Sequence, residues 1–177
     1  MGRRIVRRFA LAAVCLAALA ACVVNLSFDM DQPGIPLQTS AAGAASTSTL
    51  VDLGNSNDIR THRNDIRSLD LESLDVTITE VKQDNLAQNL SGGTLTLRKD
   101  LGDPSTEVKI GDLQSFPVLP QSTKRIKGNP AVDAFLLERL QDGGKFYAIV
   151  SGTTDGATDI VLDLLLHASM GYDTGLF

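Results

Sequence analysis

The chain has 177 residues, of which 43% are hydrophobic and 5% aromatic, and it contains no Trp. Its formal net charge is −5, and after the arginines of the first eight residues the densest group of basic residues is at 124–127. This charge distribution argues against nucleic acid and anionic lipid headgroups as partners.

The N-terminus has the three parts of a secretory signal. Arginines at positions 3, 4, 7 and 8 precede an uncharged core at residues 9–19, and small residues follow at positions 20 and 21. The core is shorter than the ~20 residues that span a bilayer. A signal of the ordinary type, ending at Ala18-Leu19-Ala20, is the alternative to the interpretation that follows.

The motif Leu19-Ala20-Ala21-Cys22 resembles the lipobox of bacterial lipoprotein precursors. The resemblance implies general secretory export, removal of residues 1–21 as a signal peptide, and attachment of diacylglyceryl and palmitate-like chains to Cys22, which make a firm membrane anchor. Val23 follows the cysteine. By resemblance to enterobacterial lipoproteins, this residue implies the outer membrane of a Gram-negative bacterium, with the protein periplasmic or surface-facing.

Removal of the signal also changes the charge and the thiol content. It takes four of the 16 basic residues and none of the 21 acidic ones, which leaves a net charge of −9. Cys15 lies in the removed segment, and acylation uses the thiol of Cys22. We therefore expect neither a disulfide nor a thiolate metal site in residues 22–177, which are long enough for one domain.

The first part of this domain alternates between apolar and polar residues. Val24, Leu26, Phe28 and Met30 have period two and predict a strand immediately after Cys22. Pro33-Gly34 ends it. Residues 39–49 contain only Ala, Gly, Ser and Thr and predict a flexible loop, followed by a short strand near residues 50–53.

The middle of the chain predicts a short helix capped by Asn57 and then a strand with a change of phase. In residues 69–81 the apolar residues move from odd to even positions, which predicts a bulge near Glu72-Ser73 or an interruption between two strands. Residues 94–99 and 107–112 form a predicted hairpin. Another strand is expected at residues 122–127.

One helix is well defined by its pattern and runs over residues 130–141. Asn129 is a suitable N-cap, Pro130 is favoured at the first helical position, and Gly143 ends the helix. Its apolar stripe consists of Val132, Phe135, Leu136 and Leu140.

Two strands follow this helix. They are predicted at residues 145–151 and 158–170, with a hairpin turn at residues 154–157 between them. In the second strand Ile160, Leu162, Leu164 and Leu166 face inward, and Val161, Asp163, Leu165 and His167 face the other side.

These elements predict a mainly β protein that forms an antiparallel β-sandwich of about eight strands with one helix. An α+β sheet is the alternative. The body resembles small envelope lipoproteins with an immunoglobulin-like sandwich. The resemblance rests on Ile66-Arg67-Ser68-Leu69-x-Leu71-x-Ser73-Leu74-x-Val76-x-Ile78, a later helix, and Gly143-Gly144-Lys145-Phe146. It implies a fold and carries no functional residue.

No constellation in the sequence predicts catalysis. The histidines are His62 and His167, and Asp163 shares a face with His167 but lies about 13 Å away along a strand. The pairs Asp29/Asp31 and Asp155/Asp159 lack the Gly and distal Glu of a calcium loop. We therefore expect a non-enzyme without cofactor or metal, whose one modified residue is Cys22.

The expected function is that of a lipid-anchored structural or interaction module of the cell envelope, with an envelope protein as its partner. A lipid- or small-ligand-binding module is one alternative, and it requires a pocket between the sheets lined by Phe28, Phe146 or Leu164. A hydrolase is the other alternative. It requires a cleft that joins one of the histidines to a carboxylate distant in sequence.

Overall fold

The computed structural model describes residues 23–174, so the predicted signal peptide and Cys22 lie outside the described residues. Two antiparallel sheets make up most of the fold. The strands are β1 Val23–Thr39, β2 Gly43–Asp52, β3 Ile66–Val81, β4 Asn89–Arg98, β5 Val108–Leu113, β6 Phe116–Pro117, β7 Thr123–Lys127, β8 Lys145–Thr154 and β9 Thr158–Asp173. The α-helices are α1 Asn57–His62 and α2 Pro130–Gln141.

The strand order defines two layers. Sheet A has the order β1-β9-β3-β7, and sheet B has the order β2-β8-β4-β5, with β6 also paired to β4. The predicted mainly β, antiparallel sandwich with a helix at residues 130–141 is confirmed. Its connectivity is that of a jelly roll, in which β1 and β2 belong to different sheets, whereas the immunoglobulin plan keeps its first two strands in one sheet.

In the part of the chain that the structure describes, one hydrophobic core fills the space between the sheets. On β9 the residues Ile160, Leu162, Leu164 and Leu166 are at most 3% exposed, and the alternate residues are half-buried, as the period-two pattern predicts. Phe146 on β8 is fully buried opposite them. Removal of this apolar surface from water is the main stabilising contribution to the fold.

Strand β1 confirms the prediction for the segment that follows Cys22. It pairs with β9 from its first residue, with Val23 opposite Asp173. The register shifts between Gln32 and Ile35, where Gly34 has a φ of 76°. The predicted end of the strand at Pro33-Gly34 is wrong, because a glycine tolerates this angle without strain and the strand continues past the bulge to Thr39.

Strand β3 resolves the two alternatives that the phase change left open. It runs without interruption from Ile66 to Val81, and its register against β9 shifts between Leu71 and Ser73. The predicted bulge is therefore confirmed. An extra residue at this point turns Leu74, Val76 and Ile78 toward the core, where all three are fully buried.

The predicted loop at residues 39–49 is wrong. Only residues 40–42 form a bend, and Gly43–Asp52 is strand β2, paired with β8 in unbroken register. The inward-facing positions include Ala45, Thr47 and Thr49, which are small or polar. Because these side chains give no hydrophobic alternation, the composition resembles that of a linker although the backbone forms an edge strand.

The predicted hairpin at residues 154–157 is also wrong. The turn reverses the chain, but β8 belongs to sheet B and β9 to sheet A, so the two strands do not pair. The carbonyl of Ala157 instead accepts hydrogen bonds from the backbone N–H groups of Leu86 and Ala87. A turn sequence specifies a change of direction and leaves the strand partners open.

Helix α2 has the predicted bounds and the predicted cap. Asn129 accepts hydrogen bonds from the backbone N–H groups of Ala131 and Val132, and Gly143 and Gly144 follow the helix with positive φ. Arg139 is buried together with the apolar stripe, which the sequence pattern did not predict. Within residues 23–174, no helix is long and apolar enough to cross a membrane.

The smaller elements largely follow the predictions. The hairpin of β4 and β5 is confirmed, and β7 lies at the expected position. Helix α1 begins at Asn57, but its cap is Ser56, whose side chain accepts from the N–H group of Ile59. The cap is therefore one residue earlier than predicted.

Candidate functional site

A row of charged side chains crosses the outer face of sheet A. Asp29 on β1, His167 on β9, Asp75 on β3 and Arg125 on β7 come from the four neighbouring strands of the sheet. Asp29 lies directly opposite His167 in the strand register, and Asp75 lies opposite Arg125. We call these four residues the charged row.

Hydrogen bonds connect the charged row from one edge of the sheet to the other. His167 Nδ1 is 2.7 Å from Asp29 Oδ1, and His167 Nε2 is 3.3 Å from Asp75 Oδ2. Arg125 donates to both oxygens of Asp75, from Nε at 2.7 Å and from Nη2 at 2.6 Å. Such a bidentate pair is among the stronger side-chain interactions in proteins.

The row is exposed at both ends and buried in the middle. The Asp75 side chain is 12% exposed and that of His167 is 24% exposed, whereas those of Asp29 and Arg125 are more than half exposed. Solvent therefore screens the outer members of the row, and the carboxylate of Asp75 is its least hydrated charge.

The electrostatics of the row favour its charged forms. The hydrogen bond from Arg125 lowers the pKa of Asp75 and outweighs the opposing effect of burial, and His167 lowers it further. The hydrogen bond to Asp29 raises the pKa of His167, with a smaller contribution from Asp75. The raised pKa of His167 favours its protonated form, in which both ring nitrogens can donate to the carboxylates beside them.

This arrangement differs from that of a hydrolytic site. A general base needs a ring nitrogen that can accept a proton from a nucleophile, with a carboxylate on the opposite nitrogen. In the charged row both ring nitrogens of His167 lie against carboxylates. Its chemistry is therefore that of a proton-dependent ionic contact between strands.

The sequence pattern singles out His167 but does not identify its partners. Asp163, which shares its strand face, instead accepts a hydrogen bond from the N–H group of Gly34 at 2.9 Å and lies 3.3 Å from the Thr79 hydroxyl. Period-two alternation could place Asp29 and His167 on outer faces, but only the sheet order makes them neighbours. The second histidine, His62, stacks on Tyr172 with 3.9 Å between the ring centroids.

One member of each carboxylate pair considered as a metal site, Asp155 and Asp29, has another role. Asp155 accepts from the N–H groups of Gln88 and Asn89 and from the Asn89 side chain, and these bonds lower its pKa, the Asn89 backbone bond most. Asp29 belongs to the charged row. Throughout residues 23–174, no group of three or more His, Cys, Asp or Glu side chains could hold a metal ion.

Two surface cavities lie beside helix α2. One has a volume of about 340 Å³, and the other, of about 300 Å³, includes Arg63, Arg67 and Leu140. The larger is lined by Lys99, Ser105, Thr106, Glu107, Val108, Ala131, Ala134, Phe135, Glu138 and Arg139. The residues named for a pocket between the sheets, Phe28, Phe146 and Leu164, are at most 8% exposed and pack in the core.

Arg139 lines the larger cavity and is unusual because it is a charged residue with a buried side chain. Its side chain is 3% exposed, and it donates to Asp142 at 3.0 Å and to Glu138 at 2.5 Å. The guanidinium lies over the Phe135 ring, 5.8 Å from its centroid, and Nε has no hydrogen-bond partner. No sequence pattern indicated this position, because arginine is normally a surface residue.

Comparisons with known proteins give a limited result. No family model matches the chain, and no curated protein matches it. Similar solved structures include Desmodium yellow mottle tymovirus, with 10% identity, 88% of this chain and 91% of that chain covered, and a TM-score of 0.39. The decameric BFDV capsid protein has 10% identity, coverage of 84% and 99%, and a TM-score of 0.42. Turnip yellow mosaic virus has 14% identity, coverage of 87% and 95%, and a TM-score of 0.34.

Proposed function

We propose that the chain is a lipid-anchored protein of the bacterial cell envelope whose β-sandwich is a non-catalytic structural or interaction module. One observation carries the proposal. The lipobox ends at Cys22, and strand β1 begins at the next residue, Val23, already paired with Asp173. The expected modification site and the folded domain are therefore adjacent in the chain.

Because Cys22 and β1 are adjacent, an anchored domain would lie close to the membrane. One extended residue spans about 3.3 Å, so acyl chains on Cys22 leave almost no tether between lipid and sheet. Val23 and Val24 are 52% and 39% exposed and lie at the end of the sandwich that would meet the membrane. A module held so close to the bilayer presents its remaining faces to partners in the envelope.

Two features of the sandwich support a module over the alternative functions. The imidazole of His167 is held by carboxylates on both nitrogens, which disfavours a hydrolase at this site. The residues expected to line a ligand pocket between the sheets are buried members of the core. We therefore place the partner contacts on the outer surface of the sandwich.

Lipid attachment is tested by metabolic labelling with a clickable palmitate analogue in a bacterial host. The wild-type chain should incorporate label and fractionate with membranes, whereas Cys22→Ser should lose both properties because the acylated thiol is absent. Cys15→Ser is the matched control and should keep the label. Incorporation that survives in Cys22→Ser contradicts the proposal.

Small-ligand binding is the second candidate function, supported by the cavity of about 340 Å³ against Phe135 and Arg139. Its volume is at the lower end of the range for ligand sites. Native mass spectrometry of protein purified from the envelope separates the two candidates. A module without ligand gives the mass of the lipidated chain alone, and a carrier gives an additional discrete mass.

A further inference from the structure

Strand β2 forms an edge of sheet B that nothing in the described part of the chain covers. It is the outermost strand, paired on one side with β8 from Gly43 to Asp52, and none of the described residues pairs with its other side. Even its inward-facing residues Thr47 and Thr49 are only half-buried. Alternate residues of an edge strand direct their N–H and C=O groups outward, so β2 offers a row of free donors and acceptors.

The other three edges of the sandwich carry the features that normally prevent strand pairing. Edge β1 contains Pro33, Pro36 and a bulge, together with exposed Asp31. Edge β7 has only five residues, of which three are Lys or Arg. Edge β5 is short, carries Lys109 and Asp112, and pairs through a register shift. Charges, prolines, bulges and short strands are the usual protection of edges, and β2 has none of them along Gly43 to Val51.

The charge pattern indicates which partner this edge fits. The chain is acidic, so two copies repel one another over most of their surface. Between Asp31 and Asp52, however, there is no charged residue, and this uncharged segment includes the free edge of β2. Two copies can therefore approach along β2 without bringing like charges together.

We propose that β2 is the interface between two copies of this chain, which pair antiparallel along β2 to join their B sheets into one continuous sheet. Antiparallel pairing of identical strands has twofold symmetry and is self-complementary. With the axis at Thr47, residue i of one copy lies opposite residue 94 − i of the other. This register pairs residues 43–51 and leaves Asp52 outside the ladder, opposite Ala42.

The side chains on the outer face agree with this register. Ser46 of each copy lies opposite Ser48 of its partner, and the exposed Leu50 lies opposite Ala44, where a small side chain leaves room for it. Cross-strand pairs of hydroxyl residues and of apolar residues stabilise antiparallel sheets. The neighbouring outer residues of β8, Tyr147 and Ile149, extend the uncharged surface away from the axis.

The oligomeric state of a soluble chain tests the proposal independently of lipid attachment. The core seen in the described residues lies within positions 23–174, so a chain of residues 22–177 with Cys22→Ser is suitable. Sedimentation velocity over a concentration series should show a reversible change from monomer to twice that mass. The doubly substituted chain Ser46→Lys, Ser48→Lys should remain a monomer, because Lys lies opposite Lys. Ser46→Asp, Ser48→Asp should remain a monomer for the same reason.

An equimolar mixture of these two variants provides the decisive measurement. In the proposed register each Lys lies opposite an Asp, so the mixture should again give a dimer, which also shows that both variants are folded. Gln114→Lys, Ser115→Lys places the same added charge near the opposite edge of sheet B and should leave the wild-type dimer intact. A wild-type chain that stays monomeric at every concentration, or a mixture that does not associate, overturns the proposal.

Discussion

His167 Nδ1 lies 2.7 Å from Asp29 Oδ1, which connects the central strand β9 to the edge strand β1 across the outer face of sheet A. Asp75 binds the other ring nitrogen. The contact stabilises the fold most when the imidazole is protonated and both carboxylates are ionised. It therefore couples folding stability to pH.

The direction of the pH dependence follows from the two pKa shifts. The pKa of His167 is raised above 6.5 by Asp29, so its contribution is complete below the unfolded value of 6.5 and is lost as the pH rises through the higher folded value. The pKa of Asp75 is lowered below 3.8 by Arg125, so its contribution is lost only as the pH falls through that lower value. The charged row should stabilise the fold most between about pH 4 and 6.5.

We predict that His167→Gln lowers the thermal midpoint more at about pH 5.5 than at about pH 8.5, because the contribution of the protonated imidazole is lost as the pH rises through the raised pKa of His167. Thermal denaturation followed by circular dichroism at both pH values measures the difference. The effects of His167→Gln and Asp29→Asn should be non-additive at the lower pH. Asp31→Asn is the control, because Asp31 is an exposed carboxylate on β1, the strand that carries Asp29. Equal destabilisation by His167→Gln at both pH values would contradict the prediction.

We predict that Phe135→Ala destabilises the sandwich strongly. Phe135 is 7% exposed and meets the fully buried Phe146 edge to face at 5.8 Å, so its removal leaves a cavity between α2 and sheet B. Buried Phe→Ala changes cost about 3–5 kcal/mol, against a total stability of about 5–15 kcal/mol. Urea denaturation measures the loss, and Gln141→Ala, exposed in the same helix, should be near neutral. An unchanged midpoint for Phe135→Ala would mean that the helix does not pack on the core.

The sequence predicts strands well where large apolar side chains alternate with polar ones. In β3 and β9 most inward positions are Leu, Ile, Val and Met, and even the bulge in β3 follows from the change of phase. In β2 the inward positions include Ala45, Thr47 and Thr49, which provide little contrast with their neighbours. This segment is a strand because it pairs with β8. Since β8 is distant in the sequence, the local pattern of residues does not reveal this pairing.

The charged row could not be predicted for a related reason. Alternation assigns a residue to a face of its own strand, but it does not specify which strand lies beside it. Asp29, Asp75 and His167 meet only because β9 lies between β1 and β3 in sheet A. The same limit explains the wrong prediction of a hairpin at residues 154–157. The turn itself was predicted correctly, but the two strands that it joins do not pair with each other.

We predict that Arg139→Met leaves stability unchanged or raises it slightly. The side chain is 3% exposed, and its buried Nε–H makes no hydrogen bond, a defect that typically costs about 1–3 kcal/mol. Its partners Glu138 and Asp142 are mostly exposed and can be solvated without it. Replacement of a buried ion by an apolar side chain of similar length is often neutral or stabilising.

Arg139→Ala is the matched comparison for the same site, because it removes the charge and also the packing volume. It should be less stable than Arg139→Met by about 2 kcal/mol, in the range for truncated core residues. Urea denaturation of both variants at neutral pH measures this difference. A large loss in Arg139→Met would show that the contacts with the two carboxylates and the Phe135 ring outweigh the unpaired Nε.

The last prediction concerns Asn129, whose amide group makes contacts in two directions. Its Oδ1 caps α2 by accepting from the backbone N–H groups of Ala131 and Val132. Its Nδ2 donates to the carbonyls of Lys109 and Ile110, on β5. The residue therefore attaches the start of the helix to the edge of sheet B.

Asn and Asp cap isolated helices about equally well, so Asn129→Asp should be neutral if capping were the whole role. We predict instead a loss of about 1–2 kcal/mol, because the carboxylate cannot donate to the carbonyls of β5 and repels them. Ser56→Asp is the control: Ser56 caps α1 by accepting from Ile59, and its replacement should change stability by only a few tenths of a kcal/mol. Urea denaturation of the two variants compares them directly. If Asn129→Asp is as stable as the wild type, the hydrogen bonds to β5 make no net contribution to stability.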